Sequence, residues 1–227
     1  MSLSETAAAP RRTQTERRQA AERALLTAAA RLFARRGIDT TSLAEIGDEA
    51  GYSRGLVNHR FGSKAALVER LAELAQGDFV HALRRPAPGE EADTLLAIIS
   101  AYVDRAAQSA AESRAFFVMW GAAFPEDSPL RPVFIAGDRR FRDGIEALVR
   151  AGQSHGSIDA AVDPQGFAAA FVALLRGIGA QAVVDPAGVG TAGAKAAAVS
   201  FIRSALAPQR PAPERSARTG EDVDRNG

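Results

Sequence analysis

Helix start and stop signals recur along this chain without strand-like alternation between them, and this limits its fold more than any other feature. From Ala21 to Phe33, and through most of the sequence, apolar residues recur at three- and four-residue spacing, which is the period of a helix. No stretch alternates convincingly at period two, as a half-buried strand would. The sequence therefore predicts an all-α protein of about nine helices.

Helix caps predict where the first four helices begin. Two capping boxes, one at Thr13 and one at Ser42, each have a glutamate three residues later. The first predicted helix runs over roughly 14–36. Ser53 and Ser63 are good N-caps for a third helix and a longer fourth one.

The rest of the chain predicts five more helices after a Pro- and Gly-rich boundary at 86–89. One of them starts at Ser128 with Pro129 in the first helical position and stops at Gly152. Another starts with Asp163 as N-cap. The predicted ranges are 92–110, 112–124, 128–152, 164–184 and 190–207, and we expect the two ends, 1–12 and 208–227, to be disordered.

The stretch Gly-Tyr-Ser-Arg-Gly at 51–55 has two interpretations. As G-x-S-x-G it matches the nucleophile elbow of α/β-hydrolases, with Ser53 as the nucleophile and His155 downstream. That elbow needs a preceding strand, whereas residues 43–50 have helical spacing. The other interpretation is the turn of a helix-turn-helix, with Gly51 in the turn and Gly47 where the two helices touch.

The stretch from Ala29 to Leu67, AARLFARRGIDTTSLAEIGDEAGYSRGLVNHRFGSKAAL, resembles the DNA-binding domain of the TetR family of bacterial transcriptional regulators. The match depends on many positions, among them Ile46, Phe61 and Lys64. Asn58 replaces the usual tyrosine, and Tyr52 replaces a small apolar residue. The resemblance implies a DNA-binding domain at 13–63, an effector and dimerisation domain at 64–207, and no enzymatic activity.

The resemblance also implies which side chains meet a double-stranded DNA operator. Residues at helix starts would touch the DNA backbone, and the third helix would enter the major groove. Arg54 and Arg60 could instead belong to a solvated face, and the basic segment 1–12, with Arg17 and Arg18, could be an arm near DNA or only solvated. The candidate DNA-binding residues are Thr41, Ser42, Ser53, Arg54, Gly55, Asn58, His59, Arg60 and Lys64.

For the second domain, the resemblance implies a homodimer, a palindromic operator and an unidentified small-molecule effector that releases a repressor from DNA. The candidate dimer-interface residues are Phe171, Leu174, Gly177, Ile178, Val199 and Ile202. The candidate ligand-binding residues are Tyr102, Phe117, Trp120, Phe134, Phe171 and Arg176. Each aromatic residue could instead be plain core, and Arg176 could be either an ion-pair partner or an anchor for an anionic ligand.

Composition excludes several other classes of protein. The chain has no cysteine, so disulfides, thiolate zinc sites and cysteine nucleophiles are impossible. Its three histidines have no metal-ligand spacing, and we expect neither a metal nor a cofactor. The N-terminus lacks the apolar core of a signal peptide, and no long apolar run predicts a membrane span, so we expect a cytoplasmic protein. The net charge of +1 gives no global argument for DNA, which must rest on where the charges lie.

Overall fold

A computed structural model describes residues 13–81 and 86–208, and in these ranges it contains nine α-helices. The predicted all-α fold is confirmed. The predictions for 1–12 and for 209–227 lie outside the described residues. The helices are α1 (Gln14–Arg36), α2 (Leu43–Ala50), α3 (Arg54–Phe61), α4 (Lys64–His81), α5 (Glu91–Gln108), α6 (Ala110–Ala122), α7 (Arg131–His155), α8 (Pro164–Val184) and α9 (Thr191–Leu206).

The caps of the first helices lie where the sequence predicts them. Thr13 and Ser42 each accept a bond from the backbone of the residue three positions on, and both capping boxes are complete. α1 ends at Gly37 with φ 86°, and α2 ends at Gly51 with φ 75° in the left-handed region. Local sequence therefore sets the boundaries of these helices.

The predicted ends of α7 are wrong at both termini. Pro129 lies in a turn in which the Ser128 hydroxyl donates to the Ala122 carbonyl, and the helix begins only at Arg131. Gly152 does not end the helix, which continues to His155. It is buried instead, because the Ile158 side chain packs where a β-carbon would lie, 2.6 Å from Ile158 Cδ1.

The described residues form two separate hydrophobic cores. The first joins α1–α4 to α6 and reaches Leu130 and Phe134 at the start of α7. The second joins α5, α8 and α9 to the part of α7 that begins at Phe141. The N-terminal helices α1–α3 thus share a core with α6, so packing crosses the predicted boundary at residue 63.

α8 is the one helix in the described part of the chain that is long and apolar enough to cross a membrane, judged by length and composition alone. A core helix of a soluble protein meets the same criterion. One side of α8 packs into the second core through Phe171, Val172 and Leu175. The opposite side exposes small residues, including Ala169 and Ala173.

Candidate functional site

The turn between α2 and α3 is built on a close backbone approach at Gly47. A β-carbon there would lie 2.7 Å from the Tyr52 carbonyl oxygen and 3.2 Å from Val57 Cγ2. The Tyr52 amide donates to the Gly47 carbonyl at 2.8 Å, which closes the turn. Gly47 is therefore the residue that lets α3 cross α2 at short range.

Ser53 is the N-cap of α3, and the hydrolase alternative is wrong. Its Oγ accepts the Leu56 amide at 3.3 Å, and its own backbone is extended. The segment before it is the helix α2, whereas a nucleophile elbow needs a strand.

The outward face of α3 presents polar side chains with unused hydrogen-bonding capacity. Arg54, Gly55, Asn58 and His59 are all exposed. Within the described residues, the side chains of Arg54 and Asn58 make no hydrogen bond or ion pair. The opposite face buries Val57 in the first core. An arginine and an asparagine on an exposed helix have the donors that read guanine and adenine edges.

Arg60 faces α1 instead of following the exposed face of α3. Its Nη2 donates to the Arg18 carbonyl, and its guanidinium lies 3.9 Å from Glu22. Glu22 in turn pairs with Arg70 on α4 at 3.3 Å. The structure thus makes Arg60 part of a brace that ties α3 to α1 and α4, so its predicted direct contact with DNA does not fit this conformation.

The three residues predicted to contact the DNA backbone at helix starts, Thr41, Ser42 and Lys64, also differ in how far their side chains are free to reach a phosphate. Thr41 is only 1% exposed, and its hydroxyl donates to the Gly37 carbonyl at 2.9 Å, so it has no group to offer a phosphate. Ser42 is exposed, but its Oγ bonds Glu45, and its amide and hydroxyl together hold the pKa of that glutamate below its usual value. Lys64 begins α4 and donates to the Asp39 carbonyl at 3.1 Å.

A basic cleft that sequence reasoning did not predict as one site lies between α1 and α3. It is lined by Gln14, Arg17 and Arg18 from α1 and by His59 and Arg60 from α3, among others. Arg17 and Arg18 are exposed here. The signal in the sequence is the pair of adjacent arginines near the start of a helix, but only the packing of α1 on α3 brings them beside His59.

The predicted ligand-binding residues do not converge on one pocket. Tyr102 and Phe117 line a cavity of about 50 Å³. Trp120 and Phe134 line an open surface groove beside Asp138. Phe171 is fully buried in the second core and lines neither.

Arg176 is buried on α8 and has an ion-pair partner. Its Nη2 lies 2.8 Å from Asp138 Oδ1 on α7, and its Cζ is 4.3 Å from the centre of the Phe116 ring. Burial raises the pKa of Tyr102, and the nearby Arg176 guanidinium offsets that rise only in part. The structure shows the ion pair that the sequence left open, and a role of Arg176 as a ligand anchor stays a prediction.

The predicted dimer-interface residues differ in how much of their surface is exposed. Phe171 has no exposed surface and Ile202 is nearly buried, so neither is available to a partner in this conformation. Leu174, Gly177, Ile178 and Val199 are half-buried. Sequence reasoning missed Phe201 and Val184, which are 68% and 85% exposed. Only the final packing distinguishes them from their apolar neighbours on the same helices.

Comparison with known proteins agrees with this arrangement. Residues 25–71 match the family model described as bacterial regulatory proteins, tetR family. Residues 88–207, more than half of the chain, match the model described as BetI-type transcriptional repressor, C-terminal. The chain belongs to the TetR family of bacterial transcriptional regulators. It is therefore a DNA-binding transcriptional regulator with a helix-turn-helix domain and a helical C-terminal domain, and this family is not enzymatic.

Three individual relatives share only 22–35% sequence identity with this chain. The HTH-type transcriptional regulator TtgR of Pseudomonas putida is 35% identical over 85 residues, which are 37% of this chain and 40% of TtgR. A putative regulator from Saccharomonospora viridis, solved with choline, has a TM-score of 0.69 at 22% identity and covers 83% of this chain and 98% of its own. SmeT, the repressor of a multidrug efflux pump of Stenotrophomonas maltophilia, has a TM-score of 0.70 at 23% identity, with coverages of 83% and 91%. SmeT has also been solved with triclosan.

Proposed function

We propose that this TetR-family regulator is a cytoplasmic homodimeric repressor that binds a palindromic operator and leaves it when a small molecule binds the C-terminal domain. The observation that carries the proposal is the exposed face of α3, where Arg54, Asn58 and His59 project from a helix that is braced on its other side. A rigid helix with unused donors is what major-groove reading requires.

Phosphate contacts would hold α3 in register. Arg17 and Arg18 line the cleft beside His59, and Lys64 lies at the start of the next helix. Such cations contribute affinity that falls with salt and carries no sequence information. A dimer would place two copies of α3 in successive major grooves, with half-sites about one helical turn apart or multiples of that distance.

The ligand response is two-state. The apo dimer holds its two α3 helices at a separation that fits the operator, and the ligand prefers a different separation. The solved relatives have been captured with molecules as unlike as choline and triclosan. The chemistry of the effector therefore does not transfer from one such protein to another.

The test is selection of bound duplexes from a random DNA library by the full-length protein at near-physiological salt. We expect enrichment of a two-fold symmetric motif. Arg54→Ala should relax the preference at one position of each half-site, at a cost of about 1–3 kcal/mol. Arg60→Ala, in contrast, should weaken binding to all sequences alike, because it loosens the brace.

Lys64→Ala gives a second control. Each phosphate contact that is lost lowers the slope of log affinity against log salt by about one unit, and this variant would lose one contact per protomer. No enrichment over the input library would refute the proposed role of α3.

A further inference from the structure

A buried polar layer separates the two hydrophobic cores. Gln76 and Arg176 are 4% and 6% exposed, and both sit at the level where α7 passes from one core to the other. Phe134 belongs to the first core and Phe141 to the second, and Asp138 lies between them. A layer of this kind is costly unless its groups are satisfied.

The polar groups of this layer are only partly satisfied. Within the described residues, Nε and Nη1 of Arg176 have no hydrogen-bond partner, although Nη2 pairs with Asp138. Oε1 of Gln76 also has none and rests against the backbone of Gly137. Arg176 thus retains two buried N–H directions that call for an acceptor oxygen.

Aromatic rings and a small cavity surround this arginine. Phe116 lies under the guanidinium at 4.3 Å. Tyr102 lies beside Arg176, and the charge of Arg176 and its side-chain hydrogen bond with the Tyr102 hydroxyl lower the pKa of that hydroxyl against the rise caused by burial. Nε and Nη1 of Arg176 nevertheless have no hydrogen-bond partner within the described residues. Both Phe116 and Tyr102 also line the cavity of about 50 Å³, together with Phe117. Arg176 does not line the cavity itself but contacts two of its lining rings, and the cavity is also lined by Arg105, Glu112 and Ser113. The surroundings are therefore apolar at the rings and charged at the Arg176 guanidinium, at Arg105 and at Glu112.

We propose that Arg176 anchors the effector, and that the effector is a flat, apolar molecule with a carboxylate that the guanidinium binds. This inference rests on the proposed ligand-responsive function and specifies its chemistry. A carboxylate competes with Asp138 for the guanidinium, and the displaced side chain of Asp138, which is already 20% exposed, turns towards the surface groove that it lines. A quaternary ammonium, by contrast, would meet a like charge at the Arg176 guanidinium.

The cavity is too small for an aromatic ring, so ligand binding requires its lining side chains to move. A benzene ring needs a cavity of roughly 150 Å³, about three times the 50 Å³ present, so a ring enters only if Phe116 and Phe117 move. Both belong to α6, which packs against α1 of the DNA-binding domain. On the other side, the Phe117 and Tyr102 rings pack closely on α8, since a β-carbon at Gly179 would lie only 3.0 Å from Phe117 Cζ and from the Tyr102 hydroxyl oxygen. Ligand entry therefore pushes α6, and with it the first core, away from the second.

The experiment uses full-length protein and three matched probes: benzoate, its neutral isostere benzamide, and choline. Thermal unfolding and binding to the selected operator are measured in the same samples. We expect benzoate to raise the unfolding temperature with concentration and to release operator, benzamide to bind at least about tenfold more weakly, and choline to have no effect.

Two variants test the role of the guanidinium by changing the preference for benzoate in opposite directions. Asp138→Asn removes the competing carboxylate, so the affinity for benzoate should rise about tenfold. Arg176→Gln should abolish the difference between benzoate and benzamide. The double variant Asp138→Asn/Arg176→Gln, which leaves no buried charge unpaired, should also lose that difference while remaining folded.

The two proposals fail in different ways. Equal affinities for benzoate and benzamide in both wild type and Asp138→Asn, in a protein that still binds its operator, would overturn the carboxylate anchor and leave the regulator intact. Preferential stabilisation by choline would also overturn it. Failure to bind any operator without ligand would instead refute the proposed DNA-binding mode, whatever benzoate does to stability.

Discussion

Gly47 and Gly55 lie eight residues apart in the helix-turn-helix and differ completely in their surroundings. A methyl group at Gly47 would meet the Tyr52 carbonyl at 2.7 Å, whereas at Gly55 it would meet only Ser53 Oγ at 3.8 Å. Gly47→Ala should therefore destabilise the fold by about 1–3 kcal/mol in spite of its better helix propensity. Gly55→Ala should leave stability equal or higher. Chemical denaturation of both variants measures the difference, and equal stabilities would contradict the close approach.

The buried carboxylate of Glu91 makes the stability of the fold sensitive to acid. Burial raises its pKa, but hydrogen bonds from Ser157 and the backbone and the contact with His155 outweigh burial, and the pKa lies below its usual value of 4.5. A depressed carboxyl pKa stabilises the fold above the unfolded-state value, and this stabilisation is lost as pH falls through the folded-state value. We expect the unfolding free energy to drop below about pH 4.5, and Glu91→Gln to flatten that drop.

The matched control for this pH profile is Glu126→Gln, since Glu126 lies exposed in the turn before α7. This change should leave the acid limb of the profile as in the wild type. If Glu91→Gln and Glu126→Gln gave the same profile, the buried carboxylate would not be the sensitive group.

At the scale of helices, sequence predicts well wherever a cap is purely local. Ser42 and its glutamate define the start of α2 without help from the rest of the chain. The same rules fail for α7, because Pro129 and Pro132 are both plausible near a helix start, and Gly152 and Gly156 are both plausible near its end. Side-chain packing beyond the cap itself, such as Ile158 against Gly152, makes the choice.

The N-cap of α3 gives a prediction at this scale. Ser53→Ala removes the acceptor for the Leu56 amide and should cost about 1 kcal/mol of stability. Ser53→Asn keeps an acceptor and should restore most of it. Because Ser53 positions α3 and is not expected to read bases, both variants should select the same operator motif as the wild type, with lower affinity for Ser53→Ala. A changed motif would assign Ser53 a direct role in base recognition.

For the whole molecule, sequence pattern predicts which side chains of α3 are exposed much better than it predicts how the helices of the C-terminal domain pack. The exposed residues of α3 follow from one short helix with known caps. Arg176 was recognised as unusual on its apolar helix, but its partner Asp138 lies 38 residues away and only the packing of α7 on α8 joins them. The two-core division depends on all nine helices of the described residues, and neither it nor the polar layer between the cores has a local signal.

The outer face of α8 and α9 tests the predicted dimer. It combines small residues, such as Gly177, with two apolar side chains, Val184 and Phe201, that are 85% and 68% exposed. A two-fold interface doubles the effect of any change, because each substitution occurs on both protomers. Phe201→Glu should place two carboxylates in an apolar seam and shift the protein to monomer in analytical ultracentrifugation.

The same variant should lose cooperative binding to a full palindrome while keeping weak binding to a half-site, because α3 lies far along the chain from α9 and its own core is unchanged. Phe124→Glu is the matched control, since Phe124 is also an exposed phenylalanine, at 61%, but lies in the turn after α6. It should remain dimeric. Dimers of Phe201→Glu with wild-type operator affinity would show that the outer face of α9 does not form the dimer interface, and that the two α3 helices are paired through another surface.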